Sequence, residues 1–276
     1  MEWISKFLIL CIVLGCTAAR AEAQKPVFPL LFDARERIAS PDLTGLKRLR
    51  FLTTVDFPPF NFIDGAGRIS GFHVDLAREI CRVLSIEDRC QIQAVPFDEL
   101  QSALDKSEGE AVIAGLSVQP ELRQKYAFSR PFMRLPARFA VANGITTFAD
   151  LRGQPVGVVA STVHEAMAKV FFPDLWITPF PDRAALLKAL SDGSLKAAFG
   201  DGVQLSFWVN GAQTKACCRL LDGAYFSQRF LGEGLTVMTR KADPLLNQAI
   251  DHALLDLSRS GRLEELYLRY FPNGIY

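Results

Sequence analysis

The chain has 276 residues, 49% hydrophobic and 22% charged, with 31 basic against 30 acidic side chains. That apolar share excludes a disordered chain, which could not bury enough surface to offset its entropy, and a net charge of +1 leaves no electrostatic footprint for nucleic acid. Six cysteines are too few for a small disulfide-built scaffold, and His73, His164 and His252 form no zinc-ligand spacing with them, so no metal or cofactor is expected.

The opening segment reads as a removable leader. Residues 7–19 are an unbroken run of apolar or small residues behind Lys6, and Ala21-Glu22-Ala23 supplies a small-x-small cleavage pattern. At about 1.5 Å per residue the run is too short for a hydrocarbon core of about 30 Å. A signal peptide over residues 1–23 and a periplasmic location are therefore expected, with a lipoprotein signal ending at Cys16 as the alternative. Four cysteines remain after cleavage. In an oxidising compartment Cys81 and Cys90 are a candidate disulfide. Adjacent Cys217 and Cys218 could close only an eight-membered ring, and two free buried thiols stay equally open.

Strands and helices then alternate. Residues 48–55 (RLRFLTTV) predict a strand ending in the rigid turn Asp56-Phe57-Pro58-Pro59-Phe60. Asp64-Gly65-Ala66-Gly67 predicts a tight turn. Val74, Ala77, Ile80, Cys81 and Leu84 recur at helical spacing. A short strand over 91–95 precedes a helix marked by Leu100, Ala103 and Leu104, with Asp98 as its N-cap candidate. Residues 111–116 predict a buried strand, and Pro120 suits the first turn of the next helix.

The pattern repeats. A strand over 156–160 leads through Ser161-Thr162 into a helix. A strand over 176–180 is followed by a helix capped by Asp182 and stopped at Gly193. A strand over 195–200 runs into Asp201 and a short helix. A return strand over 234–239 and two helices, 244–260 and 262–270, close the chain. Two α/β units joined by two strands leave a cleft between them, and ligands of open α/β sheets bind beyond the carboxyl ends of strands. Those ends carry Phe57, Gly115, Ser117, Ser161, Thr162 and Asp201. One aromatic, one acid and small polar groups suit a small polar ligand.

Gly71-Phe72-His73-Val74-Asp75-Leu76-Ala77 resembles the signature of the family 3 extracellular solute-binding proteins, the periplasmic polar-amino-acid receptors of ABC transporters. Residues 57–62, the block 115–132, the strand and acid of 195–201, residues 231–234 and Tyr270-Phe271 resemble further family segments in order, together covering about residues 47–273. The resemblance implies a two-lobed periplasmic binding protein type II fold, α/β in class. Lobe 1 would be 47–138 with 235–276, lobe 2 would be 139–234, and 24–46 an N-terminal extension. It implies a monomer that captures an amino acid or related solute and delivers it to a membrane permease. The Cys81–Cys90 pair also matches a disulfide of some basic-amino-acid members.

The resemblance assigns roles residue by residue. Asp201 matches the acid that holds the ligand's α-ammonium, although an Asp after a strand also suits a helix N-cap. Phe57 matches an aromatic that packs on the ligand, with core packing beside Phe60 as the alternative. Gly115 and Ser117 match backbone and hydroxyl contacts. The family's carboxylate-binding Arg falls on Leu122 here. Arg123 is one residue late, which turns it by about 100° on a helix, yet a long Arg near the helix start could still reach the cleft. Ser161-Thr162-Val163 stands where the family has Gly-Thr-Thr, with the next helix N-terminus still open to an anion. His164 is a further ligand candidate, and His73 reads as a surface change. The alternatives are a cyclohexadienyl dehydratase-like enzyme using Glu165 or Glu233 as acid, or a periplasmic accessory or receptor protein.

Overall fold

The computed structural model describes residues 28–29, 31–33, 35–116, 118–211, 214 and 216–276. The expected signal peptide and Cys16 lie outside the described residues.

The first half contains β1 (Leu49–Thr53), β2 (Asp56–Phe57), β3 (Asn61–Ile63), β4 (Ile69–Ser70), α1 (Phe72–Val83), β5 (Cys90–Ala94), α2 (Leu100–Asp105), β6 (Ala111–Val112), α3 (Pro120–Lys125) and β7 (Tyr126–Phe128). Then come β8 (Ala137–Ala142), β9 (Pro155–Val159), α4 (Val163–Phe171), β10 (Trp176–Phe180), α5 (Arg183–Ser191), β11 (Ala197–Asp201), α6 (Gly202–Val209), β12 (Cys218–Leu220) and α7 (Gln228–Leu231). The chain returns through β13 (Met238–Arg240), α8 (Pro244–Arg259) and α9 (Arg262–Tyr270).

Two five-stranded sheets organise two α/β lobes, in the orders β5-β1-β6-β13-β7 and β10-β9-β11-β8-β12. In each, three strands run parallel, and the strand after the crossover is antiparallel to its neighbours. Helices cover both faces of a parallel strand, so it reads as a near-continuous apolar run. β1 follows this rule, with Leu49, Phe51 and Leu52 all buried. Behind it, α1 turns Leu76, Ala77, Ile80 and Cys81 toward Ile250 and Leu254 of α8 and Tyr267 of α9. Phe28 and Phe32, from the segment before β1, join this core.

Gly71 fixes where α1 starts. Its φ is +129°, and a Cβ there would stand 2.3 Å from the Phe60 carbonyl oxygen, so only glycine brings β4 this close to β3. The Asp64–Gly67 turn forms as expected, with the Asp64 carboxylate accepting the N–H groups of Ala66 and Arg68.

The crossovers pair with one another. Ser129 N–H donates to Val237 O at 2.8 Å, Phe132 N–H to Leu235 O at 2.9 Å, and Leu235 N–H to Met133 O at 2.7 Å. The expected return strand thus begins as this bridge and enters the sheet only at Met238. The C-terminal tail spans both lobes. Ile275 N–H donates to Tyr267 Oη at 2.8 Å, and buried Arg138 of β8 donates to the carbonyls of Ile275 and Tyr276. Ser206 of α6 donates to Gly274 O.

Several local expectations are corrected. Asp98 caps nothing: it lies inside a single turn of 3-10 helix over Phe97–Glu99, and α2 starts without a side-chain cap. The strand expected over 111–116 is shorter, Ala111–Val112; Ile113 N–H still donates to Leu52 O, and Gly115, at φ +77°, lies just beyond. His73 is fully buried rather than on the surface, ringed by Phe60, Phe72 and Phe132. Cys81–Cys90 is bridged as expected, and Cys217–Cys218 also forms a disulfide, closing the choice left open by the sequence. No helix among the described residues is long and apolar enough to cross a membrane.

Candidate functional site

A cavity of about 690 Å³ lies between the lobes, within the range of small-molecule sites. Phe57, Pro59 and Phe60 wall it from lobe 1; Arg183, Asp201 and Gln204 wall it from lobe 2. A second cavity of about 360 Å³ adjoins it, shares Arg183, Asp201 and Gln204, and adds Thr162 and His164.

Phe57 is held by the local chain. The β2–β3 hairpin stacks its ring on Phe60 at 4.8 Å between centroids. Gly115 supports it from behind, since a Cβ there would meet Phe57 Cε1 at 2.8 Å. The ring is half-buried, so one face stays available.

Asp201 ends β11 and caps α6, with Oδ1 accepting the Gln204 N–H at 2.8 Å. The cap leaves Oδ2 with no partner among the described residues. The two readings of Asp201 are thus compatible in one side chain. His164, in the first turn of α4, faces the same cavity; burial holds its imidazole below the ordinary value, and the Asp201 carboxylate works against that shift.

Thr162 is used largely within its own turn. Its hydroxyl donates to Val159 O at 2.7 Å and accepts the Glu165 N–H at 3.2 Å. Ser161, at φ +60°, is exposed and gives its N–H to the Glu165 carboxylate at 2.7 Å. Part of the helix end expected to attract a ligand anion is therefore filled by the chain's own Glu165. Lys169 and this N–H hold the Glu165 carboxyl below its usual range.

Arg123 does not line either cavity. Its guanidinium pairs with Glu233 and lies over the Phe128 ring at 5.6 Å. The one-residue shift from Leu122 is the physical reason: Leu122 packs toward the core beside Val118, and Arg123 turns to the crossover instead. Ser117 lies outside the described residues.

The structure therefore gathers Phe57, Thr162, His164 and Asp201 about one cleft, sets Gly115 behind Phe57, and leaves Ser161 and Arg123 outside it. Sequence reasoning missed Arg183, Gln204 and Asp56, all of which line the larger cavity. Arg183 was findable: it stands three residues beyond the carboxyl end of β10, next to the cap Asp182, where the strand-end rule applies.

Comparison with known proteins agrees with this geometry. The ABC transporter arginine-binding protein 1 of Escherichia coli is 26% identical over 232 residues, covering 83% of this chain and 93% of that protein. The histidine-binding periplasmic protein of Salmonella typhimurium is 26% identical over 235 residues, 83% and 90% of the two chains. The solved structure of an ancestral cationic amino acid solute-binding protein superposes with a TM-score of 0.63 at 25% identity, covering 83% of this chain and 97% of that one. Residues 49–273 match the bacterial extracellular solute-binding proteins, family 3, so the two lobes and their cleft are those of a member of that family.

Proposed function

We propose that this solute-binding protein works in the periplasm, is not an enzyme, and takes an amino acid or closely related solute between its lobes for delivery to an ABC permease. The observation that carries the reading is the cavity walled by Phe57 on one lobe and Asp201 on the other. A carboxylate with a free oxygen suits an ammonium group, because a charge-assisted hydrogen bond is strong where water is excluded. An aromatic face suits the ligand's body. Contacts from both lobes favour the closed state, which couples affinity to conformation. The arginine- and histidine-binding relatives favour an amino acid as the solute.

Neither carboxylate considered for a dehydratase-like reaction supports it. Glu233 is paired with Arg123, and Glu165 is ionised by its own helix end and Lys169. Neither lines the cleft cavities. The test is calorimetry and thermal shift on the mature protein with amino acids, opines and small organic acids. Micromolar binding of at least one amino-acid-like compound is expected; a broad screen without a stabilising ligand overturns the reading, and prephenate turnover dependent on either glutamate replaces it.

A further inference from the structure

We propose that Arg183, not Arg123, is the anion-binding residue of the cleft, so that a ligand's carboxylate and its ammonium are both held by the second lobe. The proposal rests on the solute-binding reading and names the ligand chemistry of that same site.

Four observations lead there. First, Arg183 lines both cavities beside Asp201, and it is the one Lys or Arg among the described residues that line them. Second, its guanidinium has no carboxylate within ion-pairing reach among the described residues; its partner is the neutral side-chain oxygen of Gln204. An arginine with most of its five donors unused can still take a carboxylate with two parallel hydrogen bonds. Third, the rival positions are in part taken. Arg123 is paired with Glu233, and the Glu165 carboxylate already occupies the Ser161 N–H just ahead of α4. Fourth, the anchor is positioned. Asp182 caps α5 by accepting the Ala185 N–H at 2.8 Å, which fixes Arg183 at the first helical position. Gln204 then ties Arg183 to the turn whose N–H groups hold Asp201.

The ligand class follows from the charges. A cation site and an anion site on one lobe, facing the rings of Phe57 and Phe60, take a zwitterion whose two charged groups lie on one side of an apolar or extended body. Asp56 adds a second acid at the lobe 1 wall. Two carboxylates and one guanidinium complement a ligand with two cationic groups and one carboxylate.

Calorimetry with matched pairs tests this: L-arginine against agmatine, L-ornithine against putrescine, L-histidine against histamine. Each pair differs only in the carboxylate. Wild type should bind at least one of the amino acids more tightly than its amine. Arg183→Gln should weaken that amino acid at least about tenfold and bring it level with the amine, whose own binding stays unchanged. Arg183→Lys should restore part of the loss, and Arg123→Gln should stay within about twofold of wild type. If wild type binds an amino acid and Arg183→Gln leaves it within about twofold, the assignment of Arg183 is overturned while the solute-binding reading stands. If the folded wild type binds none of the three amino acids, this assignment of ligand chemistry is overturned, and the solute-binding reading falls with it only when the broad screen also yields no ligand.

Discussion

Gly115 and Phe57 are in direct apposition: the glycine has φ +77°, and any Cβ placed on it would lie 2.8 Å from the ring's Cε1. Two costs therefore meet at one residue, a left-handed backbone that L side chains resist and an aromatic wall that cannot retreat past Phe60. Gly115→Ala is expected to destabilise the protein by about 1–3 kcal/mol, read as a lower urea midpoint. Ligand affinity should fall with it, because the displaced ring is the lobe 1 face of the cleft. An alanine variant with wild-type stability would show that the backbone relaxes freely there.

Asp201 carries a structural and a proposed binding role that different substitutions separate. Asn retains a capping oxygen for the Gln204 N–H, whereas Ala removes it. Asp201→Asn should leave stability within a few tenths of a kcal/mol, and Asp201→Ala should cost about 1 kcal/mol. Both should weaken binding of an amino-acid ligand about tenfold or more, since both remove the charge that faces the ammonium. Denaturation without ligand reads the cap, and calorimetry reads the charge.

His73 makes folding sensitive to acid. Its Nδ1 donates to the Asn61 amide oxygen at 2.6 Å, because an amide oxygen only accepts, and Asn61 passes the chain on to Thr54. Nε2 is left as a bare acceptor in an aromatic box with no partner. Burial pushes the imidazole down to about 3. The folded state therefore refuses a proton that the unfolded state binds below about pH 6.5. Stability from this residue is complete above that pH and is lost as pH falls toward 3, by about 2 kcal/mol between pH 7 and pH 5. Urea unfolding of wild type and His73→Gln at the two pH values checks it. The variant is less stable at pH 7 but should lack this share of the acid loss; parallel slopes would remove His73 from the account.

Cys81–Cys90 joins the buried face of α1 to the start of β5 across nine residues. Replacing both cysteines by alanine should cost about 2–3 kcal/mol, seen as a lower denaturant midpoint. The same loss should follow reduction of the wild type with dithiothreitol.

What was legible in the sequence was mostly local. β10 falls on the expected residues Trp176–Phe180, and the caps Asp182 and Asp201 form as expected, because a cap is decided within one turn of chain. The ordered family segments placed both lobes. The misses have different causes. His73 stands four and seven residues before Ala77 and Ile80, on the stripe that α1 buries, so its burial was legible from helical spacing; the crossover's Phe132, 59 positions away, completes the box around it. Arg123 is drawn off by Glu233, 110 residues further on. Arg183 falls outside the family-like segments, and only its place just beyond the end of β10 marks it in the sequence.

The clasp between Arg138 and the C-terminal tail sets the scale of any lobe motion. The tail is fastened to α9 on one side and to β8 and α6 on the other, close to where the crossover segments pair. A rotation that keeps these bonds has its stationary line beside Arg138. Displacement then grows with distance from that line, so Val203, packed in the lobe 1 core, and β12, paired with β8, hardly travel, while Trp176 on β10, the opposite edge of the second sheet, sweeps the widest arc.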